Sequence, residues 1–301
     1  MQQAALIPLP RSVHWTGDVA DFSRLAPRFR IVAPEMAGPS FELAYEALAR
    51  AVNELTGWTA EEFPVLEIVD DPEITAAGSP LEGAFGLLLT DIGEQFGEEG
   101  YRLTVGPGAL VQANSPAGLF YGVQTLKQLV RAEARRGAIP CVTIRDWPSL
   151  RYRGWQDDVS RGPIPKLAFL KKQIDRFSEL KMNAMTLYTE HVFRLEKHPR
   201  IAPTDGISAA EIRELDAYAK RRHVQLIGNF QSFGHFANIL NVPGYGHLGE
   251  AGWVLSPALE ESYRFLEDVF SEIAPAYPSP LFHINCDETG GLGEGASRQM
   301  V

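Results

Sequence analysis

The sequence predicts an α/β protein in two parts. An N-terminal α+β domain over 1–147, a mostly antiparallel sheet with helices, is followed over 148–301 by a (β/α)8 TIM-type barrel that stops after its fourth strand. Three observations carry this expectation. From about Arg151 onward, apolar strands and amphipathic helices alternate strictly, which predicts parallel strands with helices outside. Each strand of that region then runs into polar residues: Asp157 and Asp158, then Thr189, Glu190 and His191, then Gln231 and His235, then Asp287 and Glu288. The C-terminal face of a barrel has this character, because the loops after the strands carry its chemistry. Before Arg151, short strands punctuated by turn residues surround two helices, and no ionisable groups gather there.

Composition narrows the function classes. A hydrophobic fraction of 45% with 22% charged residues suits a soluble globular chain with a sizeable core, and the length of 301 residues allows about two domains. The net charge of −10 argues against nucleic acid or an anionic membrane surface as partner, since both reward clustered Lys and Arg. Cys141 and Cys286 lie far apart beside apolar residues, which predicts two small core residues rather than a disulfide framework or thiolate metal site. There is no His-Glu-x-x-His and no spaced Cys/His set, so neither a metal nor another cofactor is expected. The first residues lack a basic region and a long apolar run, and no stretch reaches the roughly 18 apolar residues of a membrane span. The expected location is the cytoplasm.

In chain order, a Pro-rich extended arm leads to a short strand over 29–33. A helix follows, capped by Ser40, with Phe41, Tyr45, Leu48, Val52 and Leu55 along one face and Gly57 at its stop. Strands are expected over 65–69, 86–89, 101–105 and 110–113, the last two joined by Gly106-Pro107-Gly108. A second helix starts with Ser115 as cap and Pro116 at its first position, and buries Leu119, Phe120, Val123, Leu126 and Val130. A strand over 141–144 closes the domain.

The second part begins with a strand over 152–157 and a helix from about Lys166, whose stripe is Leu167, Leu170, Ile174, Phe177 and Leu180. Strand two covers 184–188. The next helix, near 208–222, opens with a capping box of Ser208 and Glu211, and strand three covers 224–230. A helix over 258–274 has Ser256 and Pro257 at its start and Pro275 past its end. Strand four opens at Leu281 and runs through Phe282-His283-Ile284-Asn285-Cys286 into Asp287-Glu288. Four strands make half a closed barrel, so the expectation is a piece of a longer enzyme, weakly active or inactive alone, with strands one and four exposed at the edges.

The segments Tyr152-Arg153-Gly154-Trp155-Gln156-Asp157-Asp158-Val159-Ser160-Arg161, Leu187-Tyr188-Thr189-Glu190, Phe233-Gly234-His235 and His283-Ile284-Asn285-Cys286-Asp287-Glu288 resemble, in order and spacing, the strand-end motifs of family 20 glycoside hydrolases, the β-N-acetylhexosaminidases. Upstream, Gly100-Tyr101-Arg102-Leu103, Ala117-Gly118-Leu119-Phe120-Tyr121-Gly122 and Gln124-Thr125-Leu126 resemble the noncatalytic domain that precedes the barrel in that family. The family usually has glycines where Asn285 and Cys286 stand, more often Asp where Glu190 stands, and in many members an acidic residue at Gln231.

The resemblance implies retaining, substrate-assisted hydrolysis of a terminal nonreducing β-linked GlcNAc or GalNAc, in which the 2-acetamido oxygen is the nucleophile. Asp287 would orient the acetamido group, Glu288 would act as general acid and base, and His235 with Glu190 would support Glu288. Arg153 would bind hydroxyls at the nonreducing end. The implied partner is an amino-sugar-containing oligosaccharide or glycoconjugate. From the residues alone, Arg153 paired with Asp157 or Asp158 stays open, as do Asp158 and Arg161 paired to fix the first loop, and His191 and His283 as structural residues. An inactive carbohydrate-binding or scaffold fragment that keeps these residues is the alternative. An O-GlcNAc-removing hexosaminidase would call for an Asp-Asp pair, and Glu288 speaks against it.

Overall fold

The computed structural model describes residues 5–21, 28–32, 43, 46–51, 67–68, 84–133 and 138–300. They fall into two compact units. The first comprises Met1–Arg151 with Glu179–Lys181 and Arg221–His223, and the second comprises Tyr152–Ser178, Met182–Lys220 and Val224–Val301.

The first unit is built on seven strands: β1 (Ser12–Asp21), β2 (Arg28–Val32), β3 (Glu67–Ile68), β4 (Ala84–Leu89), β5 (Tyr101–Val105), β6 (Ala109–Ala113) and β7 (Ala138–Asp146). Helix α1 (Pro116–Glu133) separates the last two. The spatial order is β1-β7-β5-β6-β4-β2-β3. The expected mostly antiparallel sheet is instead mixed. β1 with β7, β7 with β5 and β5 with β6 run antiparallel, whereas β6 with β4, β4 with β2 and β2 with β3 run parallel. The reason lies in the connections. The turn between β5 and β6 is tight, with the Gly106 N–H donating to the Gly108 carbonyl at 2.8 Å, and forces an antiparallel pair. The long chain between β2 and β4 leaves room for the crossovers that parallel pairing needs.

The residues just after the Pro-rich arm form β1, which pairs with β7. Ser115 caps α1 as expected, its Oγ accepting from the Ala117 and Gly118 N–H groups at 3.1 and 3.4 Å. The apolar stripe of α1, Leu119, Phe120, Val123, Leu126 and Val130, is buried with Phe85, Leu87, Leu103, Val111 and Ile144 of the sheet. Leu48 and Ala51, on helical backbone over 46–51, join that core. The cap expected at Ser40 and the stop at Gly57 lie outside the described residues, as does most of the strand expected over 65–69.

The second unit carries four parallel strands in chain order. β8 (Gly154–Asp158), β9 (Ala184–Tyr188), β10 (Gln225–Asn229) and, past a longer excursion, β13 (Phe282–His283) form a sheet of order β13-β10-β9-β8. Helices α2 (Leu167–Glu179) and α3 (Ala209–Lys220) are the crossovers between β8, β9 and β10. The excursion holds α4 (Ala237–Leu240), a hairpin of β11 (Gly249–Glu250) and β12 (Val254–Leu255), and α5 (Glu260–Ile273).

Leu170 and Ile174 of α2 are buried with Leu187, Leu215, Leu226, Phe265 and Val269, which makes the second core. Ser208 and Glu211 form the expected box, the Ser208 N–H and hydroxyl donating to Glu211 Oε2 at 2.9 and 2.6 Å. Ser256 does not cap α5. Its hydroxyl bonds Glu250, and Glu260 and Glu261 face the helix dipole in the first turn instead. β8 and β13 are the sheet edges, with Leu281 and Ile284 exposed beside β13. Cys286, expected in the core, is exposed, and Cys141 is half-buried; both are free thiols. Among the described residues no helix is long and apolar enough to cross a membrane.

Candidate active site

Parallel strands end on the same side, so the residues that follow β9, β10 and β13 are brought together. The ladder continues past the strands. The Gln231 N–H donates to the Thr189 carbonyl at 2.8 Å, Phe230 N–H to His283 at 3.1 Å and Ser232 N–H to Asn285 at 3.3 Å. These bonds fix the register of Glu190, Gln231 and Asp287 across three adjacent strand ends.

His235 is at the centre. It lies buried at the left-handed φ of 58°, with Nε2 3.2 Å from Glu288 Oε2 and 3.8 Å from Asp287 Oδ2, and Nδ1 3.9 Å from Glu190 Oε1. Glu190 is buried too, and such a carboxylate needs donors. The Tyr188 hydroxyl donates to its Oε1 at 3.1 Å and Asn238 Nδ2 to its Oε2 at 3.4 Å, while its own N–H donates to Ser160 Oγ at 2.8 Å.

Asp287 and Glu288 differ from this buried support, since their side chains are 60% and 73% exposed. Gln231, itself 0% exposed, donates one amide hydrogen to Asp287 Oδ1 at 2.8 Å and the other to the Tyr188 hydroxyl at 2.9 Å. The Gln231 amide holds the Asp287 carboxyl below its ordinary range; slight burial works against this and nearby His235 supports it. Burial pushes the Tyr188 hydroxyl well up, so this group stays a neutral donor to Glu190.

Backbone geometry sets where the two carboxylates project. Glu288 stands at φ 49°, its carbonyl accepting from Trp253 Nε1 at 2.9 Å, and the Trp253 ring lies edge-on 4.9 Å from the His235 ring. Asn285, in place of the usual glycine, adopts φ 37°, a region Asn tolerates better than most side chains. Its Nδ2 donates to Asn229 Oδ1 at 2.7 Å and ties the loop to the end of β10. Gly234 has to be glycine, because a Cβ there would sit 2.3 Å from the Asp287 carbonyl oxygen.

The structure thus brings together four of the five residues singled out in the sequence: Glu190, His235, Asp287 and Glu288. The Arg153 backbone stands at the opposite end of the sheet. It precedes β8, where its N–H donates to Asn183 Oδ1 at 2.8 Å and its carbonyl accepts the Asn183 N–H at 2.9 Å, so its backbone fixes the N-terminal end of the sheet. With about 3.3 Å of rise per strand residue, that is roughly 16 Å from the other end of β8. Asp158 bonds Arg161, Oδ2 to Nε at 2.6 Å, and its Oδ1 accepts the Ser160 and Arg161 N–H groups at 3.0 and 3.2 Å, which fixes the first loop.

Tyr188, Gln231, Asn238 and Trp253 complete the cluster, and none was given a role in the sequence. Tyr188 and Gln231 do sit at strand ends beside residues that were; Trp253 lies in a hairpin that no periodicity announces. Among the described residues no group of three His, Cys, Asp or Glu is placed to hold a metal ion. The arrangement offers two accessible carboxylates, one bonded to a neutral amide and one 3.2 Å from an imidazole nitrogen. Such a pair can stabilise developing positive charge with the first and transfer a proton with the second.

Comparison with known proteins covers both units. The family described as "Glycosyl hydrolase family 20, domain 2" matches residues 3–147, and "Glycosyl hydrolase family 20, catalytic domain" matches 150–292. A β-hexosaminidase of Porphyromonas gingivalis strain W83 is 30% identical over 229 residues, covering 64% of this chain and 29% of the relative. The β-hexosaminidase subunit beta of Rattus norvegicus is 27% identical, covering 95% of this chain and 56% of the relative. A GH20 β-N-acetylhexosaminidase structure from Streptomyces coelicolor A3(2) superposes with a TM-score of 0.75 at 25% identity, over 97% of this chain and 60% of that one. A Flavobacterium johnsoniae chitobiase, at 23% identity and a TM-score of 0.76, shares the fold over 100% of this chain and 47% of its own. The chain therefore spans between under a third and little more than half of these curated relatives.

Proposed function

The chain belongs to glycosyl hydrolase family 20, and from that premise we propose that it carries the acid–base centre of a β-N-acetylhexosaminidase acting on terminal β-linked N-acetylhexosamine. The observation that carries this reading is the His235 ring, placed against Glu288 at 3.2 Å with Asp287 and Glu190 within 4 Å of its nitrogens.

In the proposed reaction the substrate's 2-acetamido oxygen attacks the anomeric carbon, and the glycosidic C–O bond breaks. Asp287, ionised and held by the Gln231 amide, accepts the acetamido N–H and stabilises the positive charge that spreads over the forming oxazolinium ring. Glu288 delivers a proton to the leaving oxygen, and as a carboxylate then takes one from the water that opens the ring, so configuration is retained. His235, backed by buried Glu190, fixes the Glu288 carboxylate.

We read the four-stranded sheet as the first half of a (β/α)8 barrel, a reading supported by the 47% and 60% of the two solved relatives that the chain covers.

The test compares release of one aryl leaving group from β-GlcNAc, β-GalNAc and β-glucose. Turnover of the two acetamido sugars with none of the glucoside is expected, because glucose carries no internal nucleophile. Equal turnover of all three would rule out the substrate-assisted route.

A further inference from the structure

Glu250 lies in β11, 5% exposed, with no basic side chain paired to it among the described residues. Its carboxylate is satisfied entirely by neutral donors. Ser256 Oγ and the Ser297 N–H, the latter at 2.9 Å, donate to Oε1, and Ser297 Oγ donates to Oε2 at 2.6 Å. Ser297 is itself 0% exposed, and its hydroxyl also accepts the Gly293 N–H at 3.0 Å. Burying a carboxylate costs free energy that these bonds must offset, so this arrangement is more than a solvated turn. Burial pushes the Glu250 carboxyl up, but the bonds from Ser256 and Ser297 outweigh it and leave the group below its ordinary 4.5, ionised at neutral pH.

Two glycines let the β11–β12 hairpin and the segment after Glu288 touch. A Cβ at Gly291 would lie 2.4 Å from the Ala251 Cβ, and one at Gly295 would lie 2.8 Å from Glu250 Cγ. At the near end of the same segment, Trp253 of the hairpin donates to the Glu288 carbonyl. The hairpin therefore meets the segment at Glu288, Gly291, Gly295 and Ser297. Between these points there is little regular structure, only a short 3-10 turn at Ala296–Gln299.

We propose that Glu250 is the positioning residue that clamps the Asp287–Glu288 loop to the β11–β12 hairpin. The exposed carboxylates keep their direction because the chain behind them is fastened at one end by Trp253 and at the other by Glu250. The clamp is a property of the fold. Its catalytic consequence rests on the acid–base reading of Glu288 given above.

The test is amide hydrogen exchange over 286–297 in the whole chain. Glu250→Ala is expected to speed exchange across that segment about tenfold while β9 and β10 keep their protection. Ser297→Ala, which removes one donor and spares the carboxylate, should act in the same direction by about threefold. It keeps the question decidable should the alanine at 250 fail to fold. Glu250→Gln retains the shape and part of the bonding, and is expected to restore protection to within about threefold. Unchanged exchange over 286–297 in Ser297→Ala, or a rise spread evenly over the whole chain, would overturn the clamp. A rate measurement tests the consequence. Glu250→Ala should slow sugar leaving groups about fivefold more than aryl ones, as misdirection of a general acid does. Equal slowing overturns the positioning role, whereas absence of any turnover by the unaltered chain counts against the hydrolase reading and leaves the exchange result to decide the clamp.

Discussion

In the first unit, Lys181 and Asp146 are 6% and 8% exposed and meet at 2.9 Å. The Tyr101 hydroxyl accepts from Lys181 Nζ at 2.8 Å, donates to Asp146 Oδ2 at 3.0 Å, and touches Thr125 Oγ1 at 2.6 Å. In the second unit, His235 and Glu190 are buried to a similar degree, yet the carboxylates that His235 also faces are open to solvent. The first network closes on itself: each charge finds its opposite inside, and nothing is left to offer a ligand. The second is closed on the Glu190 side and open on the Asp287–Glu288 side. Buried charge that is fully compensated supports a fold, and buried charge whose partners face outward supports chemistry.

The sharpest way to break this contrast is Glu288→Gln. A loss of about a hundredfold or more is expected with sugar leaving groups, and a much smaller one with activated aryl groups, which need little protonation. The same fractional loss with both, measured as kcat/KM, removes Glu288 from the acid's role. Lys181→Met probes the closed network. It leaves Asp146 buried without its cation, and a loss of about 3 kcal/mol in denaturant-induced unfolding is expected, with the preference between leaving groups unaltered. A change in that preference would join the two networks that the contrast separates.

Gln231→Leu tests the boundary between support and reactant. The wild-type amide keeps the Asp287 carboxyl below its ordinary 3.8, so the anion persists as the pH falls. Without that donor the carboxyl protonates at higher pH, and the acidic limb of the pH–rate profile should move upward. A limb that stays in place would mean Asp287 does not control it.

Much of the second unit was legible in the sequence because its strands are short apolar runs that end in polar residues. Its helices also show a clear stripe, as Leu170 and Ile174 do in α2, although Leu180, read into the same stripe, is exposed. The strand-end carboxylates and His235 could be found for the same reason. What could not be read is what depends on pairing at a distance. Nothing local marks β4 as the parallel neighbour of both β2 and β6, so the first sheet looked antiparallel. Ser256 has the position of a helix cap, and only the folded hairpin shows that Glu250 claims its hydroxyl. Gln231 looked like a departure from the family's acidic residue; its role follows from Tyr188 and Asp287 standing on either side of one amide.

Gly234 has a consequence for how this site could be lost by sequence drift. It carries no ionisable atom, and a substitution to alanine would count as mild by chemistry and size. The added methyl would nonetheless meet the Asp287 carbonyl oxygen at 2.3 Å and the Glu288 carbonyl oxygen at 3.1 Å, both backbone atoms that cannot rotate aside. One hydrogen exchanged for a carbon would push the whole acidic loop away from His235 and leave every reactive group intact. A lineage under relaxed selection could fall silent through this position while a catalogue of its catalytic side chains still read as complete.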